Sequence, residues 1–215
     1  MSQLPVFPPL LTGLAAGPAN PVAIAVAQAE RGVEAGLLVW SQTEERLRAA
    51  LVLAPETHLE EAMAGIVACA VAMQNALGVL APPETSVHLD WTGELRLNGA
   101  HVGGLRMICP ETDAKAEPLW MVVALDLTLR LPDNLEPGQT PNWTALNQEG
   151  CGEDDGITLL ETWARHSLLW LNGLDDPAGR SALYREWKGL VWNLGKETSV
   201  ALPGETLRGM FLGVD

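Results

Sequence analysis

The stretch that most constrains this chain runs from Pro55 to Leu77. Pro55 and Glu56 open it, Gly78 follows it and Pro82-Pro83 lie beyond, which predicts a helix over 55–77 capped at Gly78. From Ala62 to Met73 it carries no charged side chain, and most of its residues are small and apolar. A helix of that composition has no face to give to water, so it belongs in the interior, lying against a sheet. The longest apolar runs, such as Ile66 to Met73, fall short of the roughly 20 residues that cross a bilayer. The helix is therefore read as core, and no membrane association is expected.

Strands to cover that helix are predicted on both sides of it. Residues 1–19, rich in Pro, Gly and Leu, read as an extended lead-in with turns. Asn20-Pro21 then opens a first helix, carried by Val22, Ile24, Val26 and Ala29 to about Glu34 and ended by Gly36. Leu37 to Ser41 and Leu47 to Ala54 form a hairpin across the polar stretch Gln42-Thr43-Glu44-Glu45. After the long helix come short strands at Val87 to Trp91, Leu95 to Leu97 and His101 to Ile108, the last two joined by the turn signal Asn98-Gly99. Leu119 to Leu131 is a long apolar strand, and 132–155 a long connection of the kind that carries function or moves. Helices follow at Leu159 to Leu171 and Arg180 to Leu190, and Thr198 to Asp215 returns to strand-like alternation, turning at Gly204 and Gly209. The expected fold class is α/β (α+β), a mixed β-sheet backed by helices over residues 1–188, with a small β module over 189–215.

Charge and cysteine usage narrow the partners. A formal charge of −14, from 27 acidic and 13 basic side chains, argues against an unassisted grip on nucleic acid, which depends on clustered Lys and Arg. Met1 to Leu14 lacks the basic start of a signal peptide. Cys69, Cys109 and Cys151 are odd in number and widely spaced, which fits neither a disulfide framework nor a structural zinc site. His58, His88 and His166 show no ligand spacing either. The cytoplasm is the expected compartment.

A few residues stand out on their own chemistry. Gly103-Gly104 within a strand marks a backbone requirement: strand twist, the close approach of a neighbour, or a ligand. Arg46 and Arg48 alternate onto one strand face, as a solvated pair, as partners for a carboxylate, or as phosphate ligands. Asp126, in an apolar strand, needs a partner, which is Arg46, Arg48 or a ligand. Trp91 is core, pocket wall or stacking platform. His101, taken alone, reads as a surface histidine on a hairpin. Trp163 and Trp170, seven apart on one helix, share a face and read as core packing, and Cys69 as a small core residue.

The element order and the second hairpin together resemble the biotin protein ligase family, whose relatives are the lipoate ligases. That family's central segment reads K-W-P-N-D, a hydrophobic strand, an N-G-like turn and K-[LIV]-[AG]-G-[IL]. Here Trp91, the Asn98-Gly99 turn and Val102-Gly103-Gly104-Leu105 match in register without a gap. Gly17-Pro18-Ala19-Asn20 stands where the family has D-S-T-N, so Asn20 is retained. Gln42, Arg46 and Arg48 align with Q-T-x-G-R-G-R, and Val122 to Thr128 takes the place of a V-V-x-G-x-G-x-N strand. Trp143-Thr144-Ala145-Leu146 resembles an A-T-S-L turn, and Gly209 to Asp215 the G-x-x-x-G-[IV]-D of a C-terminal SH3-like module, partial as the chain stands.

The resemblance implies a class II synthetase-like catalytic domain. It would adenylate biotin or a related acid with ATP and Mg²⁺, then pass the acyl group to a carrier-domain lysine. On this reading His101, Arg46 and Arg48 supply the charge for catalysis, replacing a lysine and a Gly-Arg loop. Asn20, Gln42, Trp91, Gly103, Gly104 and Asp126 bind the substrate, and Glu94 is the candidate Mg²⁺ ligand. A homodimer is plausible by resemblance alone. Several motif positions depart from the pattern: Glu45 and Leu47 stand for loop glycines, His101 for the hairpin lysine, and Ala124 and Asp126 for strand glycines. A non-catalytic relative that binds a small carboxylic acid or a carrier domain is therefore the second hypothesis. A third is an octanoyl-type acyltransferase using Cys109 or Cys151, against which the carboxylates beside Cys151 count.

Overall fold

The computed structural model describes residues 4–132, 135, 139–152, 155–202 and 204–214. Seven strands form one sheet: β1 (Thr12–Ala15), β2 (Leu37–Gln42), β3 (Arg46–Leu53), β4 (Val87–Leu89), β5 (Glu94–Leu97), β6 (Ala100–Ile108) and β7 (Met121–Thr128). Their spatial order is β1-β2-β3-β7-β6-β5-β4, with β1 parallel to β2 and every other pair antiparallel. The mixed α/β architecture expected from the sequence is the one observed.

Two layers of helix cover the sheet. The inner faces of β3, β6 and β7, with Leu47, Leu51, Leu105, Val123 and Leu127, lie against α3 (Ala64–Leu80), which packs on α4 (Asp155–Gly173) and α5 (Pro177–Leu190). The small residues Ala68, Cys69, Ala72 and Ala76 of α3 are fully buried, and the indole of Trp163 on α4 donates to the Cys69 carbonyl at 2.9 Å. Among the described residues, the opposite face carries only one helix, α1 (Pro21–Glu30), whose Ala25 and Ala29 cover Val39, Ala50, Val52 and Val122. No helix among the described residues covers the other half of that face.

Several boundaries differ from the sequence reading. Within the lead-in, Thr12–Ala15 becomes an edge strand, because pairing with β2 satisfies its backbone on one side. Helix α1 stops at Arg31 rather than Gly36: Gly32, at φ +81°, supplies the left-handed turn, and Gly36 instead opens β2. The long helix starts at Leu59, with a break at Met63 between α2 (Leu59–Ala62) and α3, and continues past Gly78 to Leu80. Ala81 ends it in extended conformation, since a residue before proline is pushed out of the helical region. Leu59–Leu80 spans 22 residues and contains an 18-residue window of mean hydropathy 1.8, long and apolar enough to cross a bilayer, contrary to the shorter runs expected. Half of that window is buried between sheet and helices, which accounts for its composition.

After α5, Val191 bridges Leu89 and the chain forms a two-stranded sheet of β8 (Glu197–Leu202) and β9 (Glu205–Met210). This is the small C-terminal β module anticipated above.

Candidate functional site

The uncovered half of the sheet is where the singled-out charges collect. The register places Arg48, Asp126, Gly104 and Glu94 in one row across β3, β7, β6 and β5. Side chains alternate along each strand, so Arg46 and Arg48 share the face on which α1 covers Ala50 and Val52. Beyond the end of α1 they stand in the open. β1 ends opposite Trp40, one residue short of the row of Ser41 and Arg48, so α1 begins at this same end of the sheet. Asn20 sits there as its N-cap, its side-chain oxygen accepting from the Val22 amide at 2.9 Å.

Asp126 is held by both arginines. Arg46 donates Nε to Asp126 Oδ1 at 2.8 Å and brings Nη2 to 2.7 Å from the same oxygen. Arg48 Nε lies 3.3 Å from Oδ2. The partner that Asp126 requires is therefore both arginines together, and the trio keeps one positive charge in excess. Its side chains are about half exposed, a setting in which an ion pair contributes roughly 0–1 kcal/mol and exchanges readily with a competing anion.

A second cluster sits at the end of the hairpin. Asn98 and Gly99 both take positive φ, +48° and +90°, as a two-residue turn with matching twist requires, and this sets Arg96 opposite His101. Arg96 Nη2 lies 2.5 Å from His101 Nε2, Nη1 donates to the Gly99 carbonyl at 3.0 Å, and Asp90 Oδ2 is 3.6 Å from Nη2. His101 Nδ1 lies 2.7 Å from Glu94 Oε2. A guanidinium has no lone pair to offer, so Nε2 accepts and the ring proton sits on Nδ1, donated to Glu94. The chain at 142–144 pairs with His101 through its amide and carbonyl and sets the Trp143 ring 5.4 Å from the imidazole. Trp143 is 57% exposed.

The glycine pair answers to neighbouring strands. Gly103 has φ +149°, and a Cβ there would lie 2.1 Å from the Asp126 carbonyl oxygen of β7. A Cβ on Gly104 would lie 2.8 Å from the Gly93 carbonyl oxygen, beside β5. The close-approach reading is the one the backbone supports.

Other candidates lie apart. Gln42 ends β2 on the opposite side of the sheet, against Gly156 in the first turn of α4, with its Oε1 buried and unpartnered. Trp91 stands 47% exposed in the turn between β4 and β5. Glu94 is engaged by His101, and among the described residues no group of three or more His, Cys, Asp or Glu is assembled for a metal ion. Cys109 follows the far end of β6, and Cys151 is buried with the helical side of the core. Burial pushes the Cys69 thiol up to about 12. The residues that sequence reasoning missed are Arg96, Asp90 and Trp143. The first was legible, since a two-residue turn at Asn98-Gly99 dictates its pairing with His101; the others are brought in by long-range packing.

The loop facing this site is short. Thr43 donates its amide to the Arg46 carbonyl at 2.9 Å and accepts from the Arg46 amide through its hydroxyl, so β2 passes into β3 with only Glu44 and Glu45 at the tip.

Residues 7–189 match the Biotin/lipoate A/B protein ligase family. A crystal structure of a biotin protein ligase-like protein of unknown function from Silicibacter sp. shares 48% identity, with 99% of this chain and 90% of that chain covered and a TM-score of 0.89. A mutant biotin protein ligase from Aquifex aeolicus in complex with biotin superposes with a TM-score of 0.70 at 13% identity, over 96% of this chain and 88% of that one. The same organism's ligase with biotin and ATP gives 0.67 at 14%, over 95% and 88%. No curated protein matches.

Proposed function

Because this chain belongs to the biotin/lipoate A/B protein ligase family, we propose that it binds a small carboxylic acid of the biotin or lipoate kind on the open half of its sheet, without adenylating it. The observation that carries this reading is the Arg46–Asp126–Arg48 trio. Two guanidiniums already wrapped around one carboxylate offer the geometry that a ligand carboxylate would take. An incoming acid displaces Asp126, or shares the arginines with it through the donors left free on Arg48.

ATP and Mg²⁺ fit these residues poorly. A triphosphate needs cations and backbone donors folded over it. Here the β2–β3 turn presents Glu44 and Glu45, Asp126 neutralises one of the two arginines' charges, and the imidazole of His101 is engaged on both nitrogens. The alternative reading, a working ligase that modifies a carrier-domain lysine, is favoured by the retention of Arg46 and Arg48 in register with the family pattern. The cysteine acyltransferase reading loses support, because neither Cys109 nor Cys151 reaches the open face.

Calorimetry with biotin, lipoate and octanoate tests the binding. At least one acid is expected to bind wild type, Arg48→Ala to abolish that binding, and Asp126→Asn to tighten it about fivefold by removing the competing carboxylate, while changing stability by no more than about 1 kcal/mol. Mass spectrometry of an apo carrier domain incubated with the protein, ATP, Mg²⁺ and the same acids is expected to show no mass increase beside an active ligase control. An increase would establish the ligase reading in its place.

A further inference from the structure

The hairpin cluster has a roof that the acid-binding reading does not use. Trp192, just beyond α5, donates its amide to the Leu89 carbonyl at 2.8 Å, which brings its ring over the β4–β6 end of the sheet. The Arg96 guanidinium lies 5.3 Å from the ring centroid, Lys196 stands 5.1 Å from it, and His88 meets it edge-on at 5.0 Å. Gly99 of the turn leaves room for the indole: a Cβ there would come within 3.3 Å of it. Arg96 is only 15% exposed, and its Nε is buried without a partner, so the guanidinium faces an aromatic surface rather than water on that side.

We propose that Arg96 is the positioning residue of His101, and that Trp192, carried by the C-terminal segment, keeps Arg96 in place. The inference deepens the acid-binding reading, because His101 borders that site. An arginine side chain has four rotatable torsions, and a single hydrogen bond to an imidazole does not hold it. Here the Gly99 carbonyl holds Nη1, the Asp90 carboxylate lies near Nη2 and the indole covers the plane, and this aims Nη2 at His101 Nε2. The consequence is chemical. Free imidazole favours the Nε2–H form, whereas here Nε2 must accept, so the proton is kept on Nδ1 and pointed at Glu94. The hairpin position that carries a lysine in the family pattern thereby holds an imidazole backed by the guanidinium of its cross-strand partner. The C-terminal module thus sets the protonation geometry at the edge of the site.

The test reads the His101 tautomer directly, by two-bond ¹H–¹⁵N correlation on the ¹⁵N-labelled full chain without ligand. Wild type is expected to show protonated Nδ1 and bare Nε2. Arg96→Ala and Trp192→Leu are expected to shift the ring toward the Nε2–H form, while Trp192→Phe, which keeps an aromatic face, retains the wild-type pattern. A wild-type spectrum with the proton on Nε2 overturns the proposal before any variant is made. An unchanged Nδ1–H form in Arg96→Ala, or in a Trp192→Leu protein whose thermal unfolding remains cooperative, overturns it as well. Because no acid is present, failure here leaves the binding measurement untouched, and failure to bind an acid leaves the tautomer result standing.

Discussion

At the scale of single residues, what sets the character of the open face is which groups already have partners. Asp126 takes three contacts from two arginines, and His101 is engaged on both ring nitrogens. A ligand entering this face therefore competes with side chains rather than meeting idle ones, which favours reversible binding of an anion over the assembly of a reactive phosphate. Gly103 is the residue this arrangement can least lose. Its left-handed φ and the 2.1 Å separation of a built Cβ from the Asp126 carbonyl oxygen force β6 and β7 apart on substitution. Gly103→Ala is expected to cost about 3 kcal/mol in denaturant unfolding, from backbone strain and a broken ladder together. A loss under about 1 kcal/mol would mean that the strand accommodates the methyl and that the glycine serves something other than strand approach.

Elements follow from the sequence where local chemistry and tertiary packing agree. The Asn98-Gly99 hairpin, the Asn20-Pro21 helix start and the β2–β3 pair are all where turn residues and capping rules put them. The misplaced ends have separate causes. Gly36 and Gly78 look alike in sequence to the glycine that stops a helix, yet one precedes a strand and the other lies within the last turn of α3, because strand pairing claims the first and the helix runs on to Ala81, where the following proline ends it. The site was legible in part. Arg46, Arg48, Asp126, His101 and the glycine pair could be singled out by strand alternation and motif register, but Gln42 shares a motif with the arginines and ends on the other side of the sheet. Trp143 and Trp192 reach the hairpin from 42 and 91 residues beyond His101, and no local pattern announces that. The helical layer also depends on one bond that periodicity does not reveal, from the Trp163 indole to the Cys69 carbonyl. Trp163→Phe removes that donor and leaves a void, and is expected to lower stability by about 2–4 kcal/mol, measured as a lower denaturant midpoint at unchanged slope.

At the scale of the whole molecule, two histidines set a pH response. His88 is held below its ordinary value by burial and by the charge of Lys196, and His166 by burial and by Arg165. Each binds its proton more weakly in the folded chain than in the unfolded one. Their contribution is therefore fully present above about pH 6.5, where the unfolded imidazoles are also neutral, and is lost as the pH falls through that value. Urea midpoints are expected to drop between pH 7.5 and 6, and the drop to shrink in His88→Asn and His166→Asn. An equal drop in the double variant would place the response elsewhere, on the carboxylates.

The position of β7 bears on how such a chain is made. It lies at the middle of the sheet, between β3 and β6, yet arrives in sequence only at residues 121–128. On a ribosome the β2–β3 hairpin and the β4–β5–β6 meander emerge first, each with one long raw margin, and neither can be sealed until β7 has cleared the exit tunnel. The nascent chain thus waits for a keystone, and until it arrives the margins of β3 and β6 are the places where a neighbouring nascent chain, or a chaperone, finds an unpaired backbone.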